Sequence, residues 1–306
     1  MASRKPKRQR EARAPASFGT TPGYGCGATE GAMRGPLKGA PIDTFVQWIL
    51  PGDSGLIELW IDFTKGAGMS VKKTAIITGA SQGIGTGLVE AFLADGYNVV
   101  ATSRHITKSL TASPRLVLVD GDIGVQQTAA NIVEAAMNHF ESIDVLVNNA
   151  GIYLAKPFIE FTTEDFNALV STNLLGFLYI TQLAVKQMLK QKSGSVISIT
   201  TTMADHPIAP VNASVSMITK GGLNSATRNL AIEYAKDGIR FNAVAPGVVD
   251  TPMHADGPND FTKSLQPMGK VVSIKDITDA VLYLAKADQV TGEVLHVDGG
   301  AHTGRW

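Results

Sequence analysis

The sequence predicts a doubly wound α/β fold, a seven-stranded parallel sheet with helices on both faces. Three observations carry this expectation. Short runs rich in Val and Ile alternate with long helical segments. A β-branched run at 74–77 passes straight into a glycine-rich turn and then a helix. Polar residues collect where the predicted strands end, the edge at which such sheets bind ligands.

The 306 residues carry 27 Lys and Arg against 27 Asp and Glu, so the formal charge is zero. That total hides an asymmetry: residues 1–40 hold eight basic and two acidic side chains, which leaves the remaining 266 with a net charge of −6. A mildly acidic body offers no basic field to nucleic acid. The apolar residues at 45–63 are interrupted by Pro51, Gly52, Asp53 and Asp62, so no membrane span is expected there. Cys26 is the single cysteine, which excludes an intramolecular disulfide and a thiolate metal cluster and fits a reducing, cytoplasmic setting. Residues 1–68 are rich in Arg, Gly, Ala and Pro and are expected to be a disordered or non-native extension. Met69 opens M-S-V-K-K-T-A-I-I-T-G, a natural translation start, and Lys65-Gly66-Ala67 can be encoded by a purine-rich run resembling a bacterial ribosome-binding site. This start is preferred to an organelle presequence, because Gly and Pro break any amphipathic helix; the intact mass of the native protein tests it.

The fold begins at 71. After the strand at 74–77, Gly79, Gly83 and Gly85 allow a sharp turn and close approach to a ligand, and the positive end of the following helix suits a phosphate. Their spacing, G-x-x-x-G-x-G, differs from the commoner G-x-G-x-x-G. Leu88, Val89, Phe92 and Leu93 recur at helical spacing, and Gly96 ends the helix. A strand at 98–103 runs into Arg104, and positions 99–108 contain no Asp or Glu. In a dinucleotide fold this point faces the adenosine ribose, where an Arg accepts a 2′-phosphate, so NADP(H) is expected rather than NAD(H). A strand at 116–120 leads to Asp122 and Ile123, a helix covers 125–140, and a strand at 143–147 ends in Asn148-Asn149-Ala150-Gly151.

Thr162 and Asp165 form a capping-box pattern that opens a helical region reaching Lys190. From Asn173 onward its side chains are apolar all round, which requires cover from its own sheet and from a second subunit, so a homodimer or homotetramer is expected. Asn173 itself is polar at the head of that run, where an unpaired amide is costly. Strands follow at 195–200, 240–245 and 294–297, with a helix at 215–234 carrying Lys220. The aperiodic stretch 248–268, which includes His254, reads as a lid over substrate. Ser273 and Asp276 cap the next helix. The six histidines show no ligand spacing, so no metal is expected. With no internal repeat, residues 71–306 read as one Rossmann-type domain.

Taken in order, these pieces resemble the short-chain dehydrogenase/reductase family over residues 71–302. The matching motifs are T-G-x-x-x-G-x-G at 78–85, Asp122-Ile123, N-N-A-G at 148–151, Asn173, a strand ending in Ser and Thr, Lys220, P-G-x-x-x-T-P at 246–252 and T-G-x-x-x-x-V-D-G-G at 291–300. The sequence looks closest to reductases acting on 3-oxoacyl carriers. The resemblance implies an NADP(H)-dependent oxidoreductase interconverting a carbonyl and an alcohol on a small or acyl-type substrate. It implies cofactor contacts from Gly79, Ser81, Gln82, Gly83, Ile84 and Gly85, then from Arg104, Asp122 and Ile123. Further contacts are implied from Asn149, Ala150, Gly151 and Lys220, and from Pro246, Gly247, Val249 and Thr251. Asn173, Thr201, Ser216 and Lys220 fall at the catalytic positions. In the family a Tyr donates a proton to the carbonyl oxygen, a Lys four residues later lowers its pKa and holds the ribose, a Ser orients the carbonyl and an Asn holds a water. Spacing of i and i+4 puts Tyr and Lys on one helix face, and charge building on oxygen needs a donor within hydrogen-bond reach.

The sequence departs from that pattern at its centre. Ser216, not Tyr, stands four residues before Lys220, and a Ser hydroxyl is shorter and less acidic than a phenol of pKa ~10. Thr201 aligns with the carbonyl-orienting Ser, but it precedes Ser216 by fifteen residues, a longer gap than usual, so Thr200 and Thr202 are alternatives. Three accounts meet the loss of Tyr. Another acid serves, either Tyr153, at a position that more often walls the pocket, or His206; Lys220 acts with an ordered water; or the protein binds NADP without hydride transfer. A methyltransferase is a more distant reading, because nothing acidic follows the second strand. Substrate identity rests with the lid and the loop after Thr201.

Overall fold

The computed structural model describes residues 72–209, 211–252 and 259–304; the expectations for residues 1–68 and for His254 lie outside them. Seven strands form one sheet, β1 (Thr74–Thr78), β2 (Asn98–Ser103), β3 (Leu116–Asp120), β4 (Val145–Asn148), β5 (Gly194–Ile199), β6 (Ile239–Pro246) and β7 (Val294–Val297). Their order is β3-β2-β1-β4-β5-β6-β7, and every pairing is parallel. The chain therefore winds outward in one direction from β1 and in the other from β4. Between these two strands lies the crevice in which doubly wound sheets bind ligands.

Alternation along β1 shows why helices are needed on both faces. Ala75 and Ile77 pack toward α1 (Gly83–Ala94) and the helix Ile274–Lys286, in one core with Leu88, Phe92, Val281 and Leu284. Ile76 points the other way, into a second core with Ile132 and Ala136 of α2 (Gln126–Phe140), Ile180 and Met188 of α4 (Gly176–Gln191) and Ala231 of α5 (Ser214–Tyr234). A strand buried on both faces must be apolar throughout, and all five residues of β1 are buried.

Two departures from expectation have local causes. β4 starts two residues later than expected, because the Gln191 carboxamide captures Ile143, donating to its carbonyl at 2.9 Å and accepting from its amide at 3.1 Å. The helical region after Thr162 is not continuous α-helix. The capping box of Thr162 and Asp165 opens α3 (Thr163–Leu169), a π-helical turn follows at Val170–Leu175, and α4 then resumes regular winding. Among the described residues, 163–191 is the one helical run long and apolar enough to cross a membrane, at a mean hydropathy of 1.5. Its buried residues Ile180, Ala184, Val185 and Met188 pack in the second core against the sheet, which accounts for its apolarity without a bilayer.

Candidate active site

The glycine turn is held from two sides. Gly79 has φ +66°, and a Cβ there would lie 2.7 Å from the Ala150 Cα, so only glycine lets β1 and the end of β4 come this close. The Asn149 carboxamide donates to the carbonyls of Thr78 at 2.9 Å and Gly79 at 3.0 Å. A Cβ on Gly85 would lie 2.8 Å from both Ala80 Cα and Asn149 Nδ2, so α1 also closes onto the turn without side chains between. The first turn of α1 has no side-chain cap and no acidic residue. Its unpaired N–H groups and positive dipole end therefore face the crevice, an arrangement suited to phosphate.

At the end of β2 the hydroxyls of Thr102 and Ser103 are buried and without partners. Orphaned buried hydroxyls beside the exposed guanidinium of Arg104 form an acceptor-seeking site, which fits a phosphorylated ribose. Nearby, Asp122 accepts from the Gly124 amide at 2.9 Å, and Ile123 is buried.

At the other end lies Lys220. Its ammonium donates to the Ile199 carbonyl at 2.8 Å, and burial pushes its pKa down to about 8. Gly151 makes room for it, since a Cβ there would stand 3.1 Å from Nζ. Of the three candidate threonines, Thr200 donates to Val244 and Thr202 donates at 2.8 Å to the buried carboxylate of Asp298. Thr201 makes the loosest bonds, 3.5 Å to the Pro246 carbonyl and 3.4 Å from the Met203 amide, so its hydroxyl is the one able to turn toward a ligand.

Asn173 and Ser216 are buried behind this surface. Asn173, on the π turn, accepts from the Ile152 amide at 2.9 Å and donates to the Ile152 carbonyl and to Thr219 Oγ1, each at 3.0 Å. Ser216 accepts from the Leu154 amide at 2.9 Å and donates to the Leu154 carbonyl at 2.8 Å. Each side chain thus grips both main-chain groups of one residue in the loop after β4.

One cavity of about 540 Å³ joins these parts, within the range of small-ligand sites. Every position given above to the cofactor lines it, from the 79–85 turn through Arg104, Asp122, Ile123 and 149–151 to Lys220 and the 246–251 segment. Thr201 and Tyr153 line it too, whereas Asn173 and Ser216 do not. Missing from the sequence reading are the polar Thr102 and Ser103 and an apolar wall made by Met203, Ile208, Val211, Phe261 and Leu265. The signal for that wall was isolated apolar residues in otherwise polar loops. His206 lies outside the lining and joins a cluster with His296 and His302, whose rings stack at 4.2 Å. The Asp298 carboxylate anchors the cluster, accepting from the His302 amide and lying 3.0 Å from its Nδ1.

Comparison with known proteins places this geometry. Residues 79–302 match the family profile described as Enoyl-(Acyl carrier protein) reductase. The chain is 34% identical over 244 residues to 3beta-hydroxysteroid dehydrogenase 1 of Eggerthella lenta, covering 74% of this chain and 93% of that protein. It is 31% identical over 249 residues to the 3-oxoacyl-[acyl-carrier-protein] reductase of Staphylococcus aureus, covering 76% of this chain and 100% of the relative. Among solved structures, ElxO with NADP bound superimposes with a TM-score of 0.70 at 30% identity, over 76% of this chain and all of that one. The 3-ketoacyl-(acyl-carrier-protein) reductase of Brucella melitensis complexed with NADH gives a TM-score of 0.71 at 29% identity, over 76% of this chain and 100% of the other. With a profile match spanning the glycine turn, the Lys220 helix and the last strand, the chain belongs to the short-chain dehydrogenase/reductase family of oxidoreductases.

Proposed function

We propose that this chain is an NADP(H)-dependent oxidoreductase that interconverts a carbonyl and an alcohol on a small or acyl-type substrate, with a proton donor other than Ser216. The observation that carries the reading is the single cavity with the glycine turn and Arg104 at one end and Thr201 and Lys220 at the other. The N-terminus of α1 takes the phosphates, Arg104 with Thr102 and Ser103 takes the 2′-phosphate, and Asp122 and Ile123 flank the adenine. When bound, the cofactor supplies hydride. Thr201 orients the substrate oxygen by a hydrogen bond, and the Lys220 ammonium stabilises charge developing there in a low-dielectric setting. Asn173 holds both main-chain groups of Ile152, fixing the wall beside the reacting centre.

The same reading places the protein in the cytoplasm as a homodimer or homotetramer. Leu178 of α4 and Ile218 and Ile232 of α5 are exposed, which favours a partner subunit over those helices. Light scattering on the purified protein tests this, and a monomer at micromolar concentration contradicts it.

The rival reading is an NADP-binding protein without turnover, favoured by Ser216 being locked to Leu154 outside the cavity. Calorimetric titration with NADPH and NADH, followed by turnover of a 3-oxosteroid, L-xylulose and an acetoacetyl thioester, separates the two. Turnover of any of them supports the reductase, binding alone supports the rival, and no nucleotide binding overturns both.

A further inference from the structure

Resting on the reductase reading, we propose that Tyr153 is the proton donor of this chain and that Ser216 is its positioning residue. Four described residues lining the cavity carry ionisable side chains, namely Arg104, Asp122, Tyr153 and Lys220. Arg104 and Asp122 belong to the adenosine end of the reductase reading, Asp122 bonded to Gly124. His206 is drawn into the cluster with His296 and His302. Lys220 has one donor fixed on Ile199 and supplies the positive charge beside the site. That leaves the phenol of Tyr153.

The backbone singles out the same residue. Ile152 is gripped at both its amide and its carbonyl by Asn173, and Leu154 is gripped at both by Ser216. Tyr153 is the one residue between the two clamps, and it lines the cavity. A phenol at 216 would carry its hydroxyl several bonds beyond Leu154 and could not serve both main-chain groups of that residue. Exchanging Tyr for Ser at 216 therefore removes a donor from α5 and orders the loop that carries another. Burial pushes the Tyr153 phenol up, so it holds its proton across neutral pH.

The step is a proton transfer. As the carbonyl carbon accepts hydride and its π pair becomes a lone pair on oxygen, the Tyr153 O–H bond breaks and a new O–H bond forms on the substrate. Both hydride electrons stay in the new C–H bond, the reductant being the reduced nicotinamide of the reductase reading. The phenolate left behind regains a proton from solvent.

The test uses the full chain and the three carbonyl probes above. Tyr153→Phe is expected to lower kcat about a hundredfold, with NADPH affinity and thermal midpoint unchanged. Ser216→Ala is expected to lower kcat about tenfold and shift the pH profile of kcat with little change in KM, and Ser216→Thr to restore both. A readout independent of turnover is the ultraviolet difference titration of the phenol, wild type minus Tyr153→Phe, whose midpoint lies above the ordinary tyrosine value because of burial and should fall toward it in a Ser216→Ala background, where the loop is released. Wild-type turnover that survives Tyr153→Phe, or a midpoint that ignores Ser216→Ala, overturns the proposal and leaves the reductase standing. A wild type that turns over none of the probes overturns the reductase reading, and this assignment with it.

Discussion

The hydroxyl of Thr78 accepts hydrogen bonds from the amides of both Asn149 and Ala150, each at 3.0 Å. One side chain thus ties the end of β1 to the end of β4 across the crevice where the cofactor is proposed to lie. Thr78→Val keeps the shape and removes the acceptor, leaving the Ala150 amide unpaired and the Asn149 amide with its 3.1 Å bond to the Val147 carbonyl alone. The expected loss is about 1–2 kcal/mol of stability by urea denaturation, together with weaker NADPH binding. A variant with wild-type stability and affinity would show that the tie carries no weight.

On the proposed reading, Arg104 decides between the two nicotinamide cofactors. Losing a charge-assisted contact to a 2′-phosphate at Arg104→Ala should weaken NADPH binding roughly 10- to 100-fold and leave NADH binding nearly unchanged. Calorimetry on both cofactors checks this, and equal losses for the two would remove the discrimination from Arg104.

Lys220 gives a pH dependence with a defined sign. Burial lowers its folded-state pKa to about 8, whereas the unfolded chain keeps the ordinary value near ~10.4. Between those limits the unfolded state binds more protons, so raising the pH stabilises the fold. The apo wild type should gain stability relative to Lys220→Met over that window, by at most about 3 kcal/mol. Chemical denaturation at a series of pH values measures the difference, and a flat profile counts against the depressed pKa. Reductive turnover should move the opposite way, falling as the ammonium is lost.

A second pH dependence, at lower pH, comes from His296. Burial, followed by the neighbouring His302, lowers the pKa of His296. Below the unfolded value of about 6.5 the unfolded chain takes up a proton that the folded chain resists, so stability falls with acid. His296→Leu should flatten that decline. Thermal melts across the range decide it, and identical slopes for the two proteins would place the acid sensitivity elsewhere.

Much of the fold was legible because its punctuation is local. The strands 98–103, 116–120 and 294–297 were found to the residue, each an apolar or β-branched run bounded by polar residues or glycine. The residues expected to hold the cofactor, which line one cavity, could be picked out for a related reason, since they sit at strand ends whose glycines and asparagines mark turns. Other features depend on distant partners. Nothing near Ile143 announces that Gln191 will take its hydrogen bonds. His206, His296 and His302 meet only because β7 and the last helical turn return beside the loop after β5. Spacing placed Ser216 and Lys220 on one helix face, but it could not say that the hydroxyl of Ser216 would bond Leu154 and stay out of the cavity.

The π turn at Val170–Leu175 holds one residue more than an α-helix of the same length needs. Deleting a single residue there would let α3 and α4 fuse into one regular rod, and Asn173 would swing by roughly 100° about the axis. Ile152 would then lose its clamp in a chain whose helicity is undiminished. The surplus residue makes function and fold separable by one codon: a deletion inside 170–175 should keep the circular dichroism of the parent and lose its chemistry.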